Sequence, residues 1–156
     1  MSDNADAPSV VIHPPIAVGV ALVICLGLGW IYPLPIPLAV VPRFLIGAAF
    51  FAAAVLLMIW SGKVFRNAHT EVNITRPATT IVDTGPYRFS RNPIYVGMFA
   101  GLIALALFFG SFWPLVALVI LYFVIRFGVV AREESYLERK FGPVYLGYKV
   151  QVRRWL

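Results

Sequence analysis

Four apolar stretches decide what this chain can fold into: residues 16–32, 44–60, 94–109 and 112–125, the last running on through Arg126 to about residue 130. The first two carry no charged residue at all. A helix needs about 20 apolar residues to cross the hydrocarbon of a bilayer, and about 17 is the lower bound. The first two stretches reach that bound and the third is marginal. Hydrophobic residues make up 60% of the chain, where soluble domains use about 45–50%. A soluble fold of 156 residues could not hide the excess, so lipid must take it. The expected fold is all-α: a single four-helix integral membrane domain over residues 1–156.

Prolines and glycines punctuate the pattern. Pro14-Pro15 precede the first stretch, and Pro33, Pro35 and Pro37 follow it. The second is expected to end at Ser61-Gly62-Lys63. Only Gly110-Ser111 separates the third stretch from the fourth, which predicts a tight helical hairpin. Beyond it no breaker occurs before Gly142-Pro143, so the fourth helix is expected to leave the membrane as a cytoplasmic C-terminal helical extension. A short helical tail over residues 144–156 follows. Trp30, Tyr32, Trp60 and Trp113 fall near helix ends, where interfacial aromatics belong.

Charge sets the orientation. Twelve of the 13 Lys and Arg residues lie either between the second and third stretches or at and beyond the inner end of the fourth; Arg43 is the exception. This one-sided placement is the positive-inside pattern of a membrane protein and not the basic stripe of a nucleic-acid binder. It puts residues 63–92 and the C-terminal tail in the cytoplasm, and an even number of spans brings the N-terminus there too. The expected location is therefore multi-pass in a cytoplasmic membrane, with the lipid bilayer as the first partner. The N-terminal residues carry Asp3 and Asp6 but no Lys or Arg, so the first stretch reads as a retained helix and not a cleaved leader. Cys25, the only cysteine, sits inside an apolar run with no disulfide partner. No metal-ligand spacing occurs, and no metal is expected.

Polar residues concentrate in two clusters on the cytoplasmic side. The first reads Gly85-Pro86-Tyr87-Arg88-Phe89-Ser90-Arg91-Asn92-Pro93-Ile94-Tyr95-Val96-Gly97. The second runs from Arg132-Glu133-Glu134 through Phe141-Gly142-Pro143-Val144-Tyr145-Leu146-Gly147-Tyr148 to Arg153-Arg154-Trp155. Together they resemble the signature of the isoprenylcysteine carboxyl methyltransferase and phospholipid methyltransferase superfamily. That pattern is Gly-Pro-Tyr-Arg-x-x-Arg-His-Pro-x-Tyr-x-Gly, followed by Glu-Glu-x-x-Leu-x-x-x-Phe-Gly-x-x-Tyr-x-x-Tyr. The likeness covers residues 85–154, and the first two helices resemble the family only in being apolar.

The resemblance implies S-adenosylmethionine as cofactor, held by residues 85–97 and 132–154, and an amphiphilic or lipid-anchored substrate. The residues themselves are compatible with it. Asn92 and Pro93 read as N-cap and first residue of the third helix, presenting free N–H groups to a carboxylate. Arg88 and Arg91 would add charge-assisted donors. Glu133 and Glu134 suit an ammonium group or ribose hydroxyls, and Tyr87, Tyr95 and Tyr148 offer ring faces to adenine or the sulfonium cation. Gly97 belongs to the first motif, although with Gly101 it also makes a small packing face. Plainer readings stand beside these: arginines on lipid phosphates, glutamates on a solvated helix face, tyrosines as interfacial anchors. His13 and His69 fall outside both motifs and read as surface residues.

Arg126 stands at the inner edge of the fourth helix, seven residues before Glu133 and on the same face. Arg126 and Glu133 are the expected catalytic pair, with Arg126 on the substrate side. The family's His is Asn92 here, and Asn cannot shuttle a proton at neutral pH. Methyl transfer to a carboxylate needs no base, because the acceptor is already ionised at pH 7. The sequence therefore favours carboxyl O-methylation of an isoprenylcysteine-like acid, with phospholipid amine N-methylation as the alternative. A nicotinamide-dependent sterol-type reductase and a non-enzymatic membrane scaffold are the readings of another class.

Overall fold

A computed structural model describes residues 13–68 and 78–156; Asp3, Asp6, His69 and Arg76 lie outside the described residues. The order is α1 (Pro14–Ile31), α2 (Val40–Asn67), a 3₁₀ turn (Gly85–Arg88), α3 (Pro93–Phe109), α4 (Trp113–Ile125), a π-helical segment (Arg126–Val130), α5 (Ala131–Phe141) and α6 (Pro143–Gln151). The fold is all-helical, as the apolar pattern requires. Among the described residues three helices are long and apolar enough to cross a membrane: α1, α2 and the continuous rod of residues 113–141. The 17-residue α3 is the shorter fourth apolar helix.

Two boundaries differ from expectation. α2 does not stop at Ser61-Gly62 but runs on to Asn67, 28 residues in all, or about 42 Å at about 1.5 Å per residue. Ser61 is fully buried and its hydroxyl donates to the Leu57 carbonyl at 2.7 Å, so it satisfies itself within the helix. Arg66, in the last turn, complements the negative end of the helix dipole. The rod from α4 to α5 is continuous as expected, but one widened π turn interrupts its hydrogen-bond ladder at Arg126.

The hairpin between α3 and α4 closes on Gly110, whose φ of 63° lies in the left-handed region that glycine adopts without penalty. Ser111 N–H donates to the Ala106 carbonyl and Gly110 N–H to Leu107, the paired bonds of a Schellman cap. The α1–α2 loop straps this turn from outside: Ile36 N–H reaches the Gly110 carbonyl, Phe112 N–H reaches Leu34, and Trp113 Nε1 donates to the Tyr32 carbonyl at 2.7 Å. Arg43, the one outlying basic residue, packs its guanidinium over Gly110 at the negative end of α3.

In the bundle α2 lies along α3, α1 packs on α4, and α3 on α4. Gly97 lets α2 approach: a Cβ there would stand 2.9 Å from Met58 and 3.3 Å from the Ala54 carbonyl oxygen. Outward-facing apolar residues such as Val23, Leu45 and Leu56 are more than half exposed and belong against lipid. The tightest core, Tyr95, Ile125, Val129 and Val130, sits at the polar end of the bundle, with Met98, Phe99 and Trp155 packed on it. The start of α1, the end of α2, the start of α3 and all of α5 and α6 meet at that same end.

Candidate active site

A cavity of about 340 Å³ opens at the polar end, within the range of small-ligand pockets. Each wall follows from the chain's local habits. Pro93, at the first position of α3, fixes the helix start, so the preceding 3₁₀ turn and Asn92 must form one wall with Ile94, Tyr95 and Met98 behind them. Glu133, Glu134, Tyr136 and Leu137 on α5 form the second wall. Gly142 turns the chain at a φ of 51°, allowing α6 to fold back against α5 and present Tyr145 and Tyr148 as the third. The Lys149–Glu138 ion pair fastens α6 to α5. Phe65 from α2, Ala78, Thr80, Ile81 and Val82, and His13 with Pro14 and Pro15 complete the rim.

The C-terminal tail holds the floor together. Arg91 N–H donates to the Arg153 carbonyl at 2.9 Å, and Asn92 Nδ2 donates to the Arg154 carbonyl, also at 2.9 Å. Asn92 occupies the N-cap position, but its side chain makes no capping bond. The Asn92 amide therefore ties the tail to α3, which corrects the capping role expected of it. The 3₁₀ turn is fastened in turn by Tyr148 Oη, donating to the Tyr87 carbonyl at 2.8 Å.

The two glutamates behave differently. Glu134 is 6% exposed and serves as common counterion to two arginines. Arg154 meets it with two bonds, Nε at 2.9 Å and Nη2 at 2.7 Å, while Arg91 Nη2 lies 3.2 Å away. The hydrogen bond to Glu134 holds the Arg154 guanidinium above its ordinary range. Glu133 receives only the Tyr95 hydroxyl, at 3.3 and 3.4 Å from its two oxygens. No cation pairs with Glu133 among the described residues. Burial pushes the phenols of Tyr87 and Tyr148 up, and that of Tyr145 up to about 12, so all three stay neutral donors at physiological pH.

Of the residues expected to build a site, the structure brings Tyr87, Arg91, Asn92, Tyr95, Glu133, Glu134 and Tyr148 onto one cavity. It leaves out four. Arg88 is exposed on the far side of the 3₁₀ turn. Pro93 is buried beneath the wall, and Gly97 faces α2. Arg126 is off the cavity lining: its Nη1 donates to Tyr122 Oη at 2.8 Å, and its guanidinium lies over the rings of Tyr122 and Phe127. His13, read as a surface residue, is exposed yet stands on the cavity rim. Tyr136 and Tyr145 also line the cavity; the second motif contained both, but nothing in their spacing separated a wall from an interfacial anchor.

The cavity could hold S-adenosylmethionine by the donors it leaves unfilled. Arg91 Nε and Nη1 are buried without an acceptor among the described residues, and buried donors of this kind are seldom left unpaired. A ligand carboxylate would fill them, with tyrosine rings available for its adenine or sulfonium.

Comparison with known proteins agrees with this architecture. An uncharacterized protein of Haemophilus influenzae is 41% identical over 63 residues, which span 40% of this chain and all of that protein. No solved structure matches significantly. The phospholipid methyltransferase family matches residues 42–144, more than half of the chain, from the start of α2 to the first turn of α6. The chain belongs to the phospholipid methyltransferase family, and is a membrane methyltransferase acting on a lipid.

Proposed function

We propose that the chain transfers the methyl group of S-adenosylmethionine to the amine headgroup of a membrane phospholipid at the cavity between α3, α5 and α6. The observation that carries this reading is Glu133: a carboxyl group on the cavity wall, oriented by Tyr95 and facing no cation among the described residues. A cationic or amine ligand suits such a wall, and a second carboxylate does not. The bound cofactor supplies an electrophilic methyl group and a neutral thioether leaving group. The protein's part is to bind, orient and exclude water. Arg91 would pair with the cofactor's carboxylate, and Tyr87, Tyr145 and Tyr148 would line the rest of its site. An alkylammonium has no lone pair with which to attack. Glu133 would take its proton, leaving the amine nitrogen with a lone pair for the methyl group that the cofactor would supply.

Carboxyl O-methylation of an isoprenylcysteine-like acid rested on Arg126 pairing with the acceptor's carboxylate. With Arg126 on Tyr122 and Phe127 instead, that support is gone. The motif likeness over residues 85–154 keeps the ester-forming reaction as the reading to be tested against. Family membership favours either reaction over a reductase or a scaffold. The crowding of basic residues at the cavity end supports a cytoplasmic active site, with the described ends of the chain on that side.

Calorimetry with S-adenosylhomocysteine on detergent-solubilised protein tests the cofactor assignment. Binding that weakens at least tenfold in Arg91→Ala is expected. Absence of binding to the wild-type chain would overturn the reading.

A further inference from the structure

Off the cavity lining, two buried donors have no acceptor among the described residues: Arg126 Nε and Trp155 Nε1. They belong to one cluster. The Tyr122 hydroxyl accepts from Arg126 Nη1 at 2.8 Å, and the Tyr122 ring lies 5.4 Å from that of Trp155. Phe99 closes the group, 6.1 Å from Tyr122 and 5.7 Å from Trp155. The cluster contains a permanent cation and two spare N–H groups, and no acid residue of it answers them. Glu134 is already taken by Arg91 and Arg154, and Glu133 by Tyr95.

Local structure explains how Arg126 comes to be there. It opens the π segment, and a π turn re-aims the side chains that follow it in a long helix. Phe123, three residues before Arg126, and Phe127, the next residue, stack with parallel rings and are both more than half exposed. The cluster therefore borders the lipid-facing surface, where water cannot fill an orphan donor.

We infer that Arg126, with Trp155 beside it, forms a seat for the phosphodiester oxyanion of the lipid substrate's headgroup, separate from the cavity that takes the cofactor. The inference rests on the reading that the substrate is a membrane lipid, and it deepens that reading by requiring an anionic group on the lipid in addition to the methyl acceptor. Arg126 is here a specificity-determining residue and not a member of the reacting set. A phospholipid headgroup would then span two stations, its anion at Arg126 and its amine toward Glu133.

Binding without turnover tests this. Short-chain phosphatidylethanolamine, a farnesylcysteine carboxylate analogue and uncharged dihexanoylglycerol would each be titrated into the solubilised full chain, reading tryptophan fluorescence against the Trp155→Phe variant. Arg126→Gln should weaken phosphatidylethanolamine binding tenfold or more and leave dihexanoylglycerol unchanged; a loss confined to the farnesylcysteine carboxylate would place the acceptor's own carboxylate at Arg126 and overturn the seat. Arg126→Lys, keeping the charge, should recover part of the loss. Affinity for S-adenosylhomocysteine should be unchanged in both variants and serves as the folding control. Phosphatidylethanolamine bound equally by wild type and both Arg126 variants would overturn the seat, as would an equal loss for the uncharged lipid. Arg126-dependent lipid binding in a chain that binds no S-adenosylhomocysteine would uphold the seat and overturn the cofactor assignment instead.

Discussion

Replacing Glu134 should damage the protein far more than replacing its outer partner, Arg154. Glu134 and Arg91 are each 8% exposed in their side chains, whereas Arg154 is 30% exposed. Glu134→Ala strands the Arg91 guanidinium, two of whose nitrogens already lack acceptors, without its counterion in a dry site. Breaking a buried pair from one side costs about 3–5 kcal/mol. Arg154→Ala leaves Glu134 still facing Arg91 and removes a half-solvated partner, for which about 1–2 kcal/mol is reasonable. At about 2–4 °C per kcal/mol for a chain of this size, the two variants should lose about 6–20 °C and about 2–8 °C of melting temperature. Thermal scans in detergent, read by size-exclusion chromatography, measure both. The double variant should melt close to Glu134→Ala, because both arginines act through one carboxylate. Equal losses for the two single variants, or strict additivity, would refute the shared-counterion argument.

Other variants separate packing from binding. Gly97→Val should cost about 1–3 kcal/mol by overpacking the α2–α3 contact, because the Ala54 carbonyl facing it is backbone and cannot swing away. The folded fraction should bind S-adenosylhomocysteine normally, and a selective affinity loss would restore Gly97 to the cofactor set. Tyr148→Phe should cost about 0.5–1.5 kcal/mol through its bond to the Tyr87 carbonyl, visible as faster proteolysis of the tail. Arg88→Ala should leave cofactor affinity unchanged by calorimetry, since Arg88 is exposed outside the cavity.

The spans were legible because charge-free apolar windows have one solution in lipid, and the hairpin because Gly110 permits the left-handed turn that ends α3. The extension of α2 was not: Ser61 and Gly62 look like a stop, and only the Ser61 bond to its own helix shows otherwise. Both motifs announced a polar site, and seven of the named residues share one cavity. The motifs could not show which of two adjacent glutamates is neutralised, because that depends on Arg154, brought back from the chain's end by α6. Arg126 stood out in the sequence as a cation near lipid. Its direction, however, is set by the π turn and by Tyr122, and no sequence period reveals either. The rim residues from α1 were invisible for the same reason: His13 has no motif, and only the packing of α1 on α4 carries it there.

Methyl transfer itself decides the central claim. Protein reconstituted in liposomes would be given labelled S-adenosylmethionine with phosphatidylethanolamine and, separately, a prenylcysteine analogue. The account predicts base-stable label on the amine lipid, reduced at least a hundredfold in Glu133→Gln while S-adenosylhomocysteine still binds. Base-labile label on the prenylcysteine analogue alone, undiminished by Glu133→Gln, would contradict it.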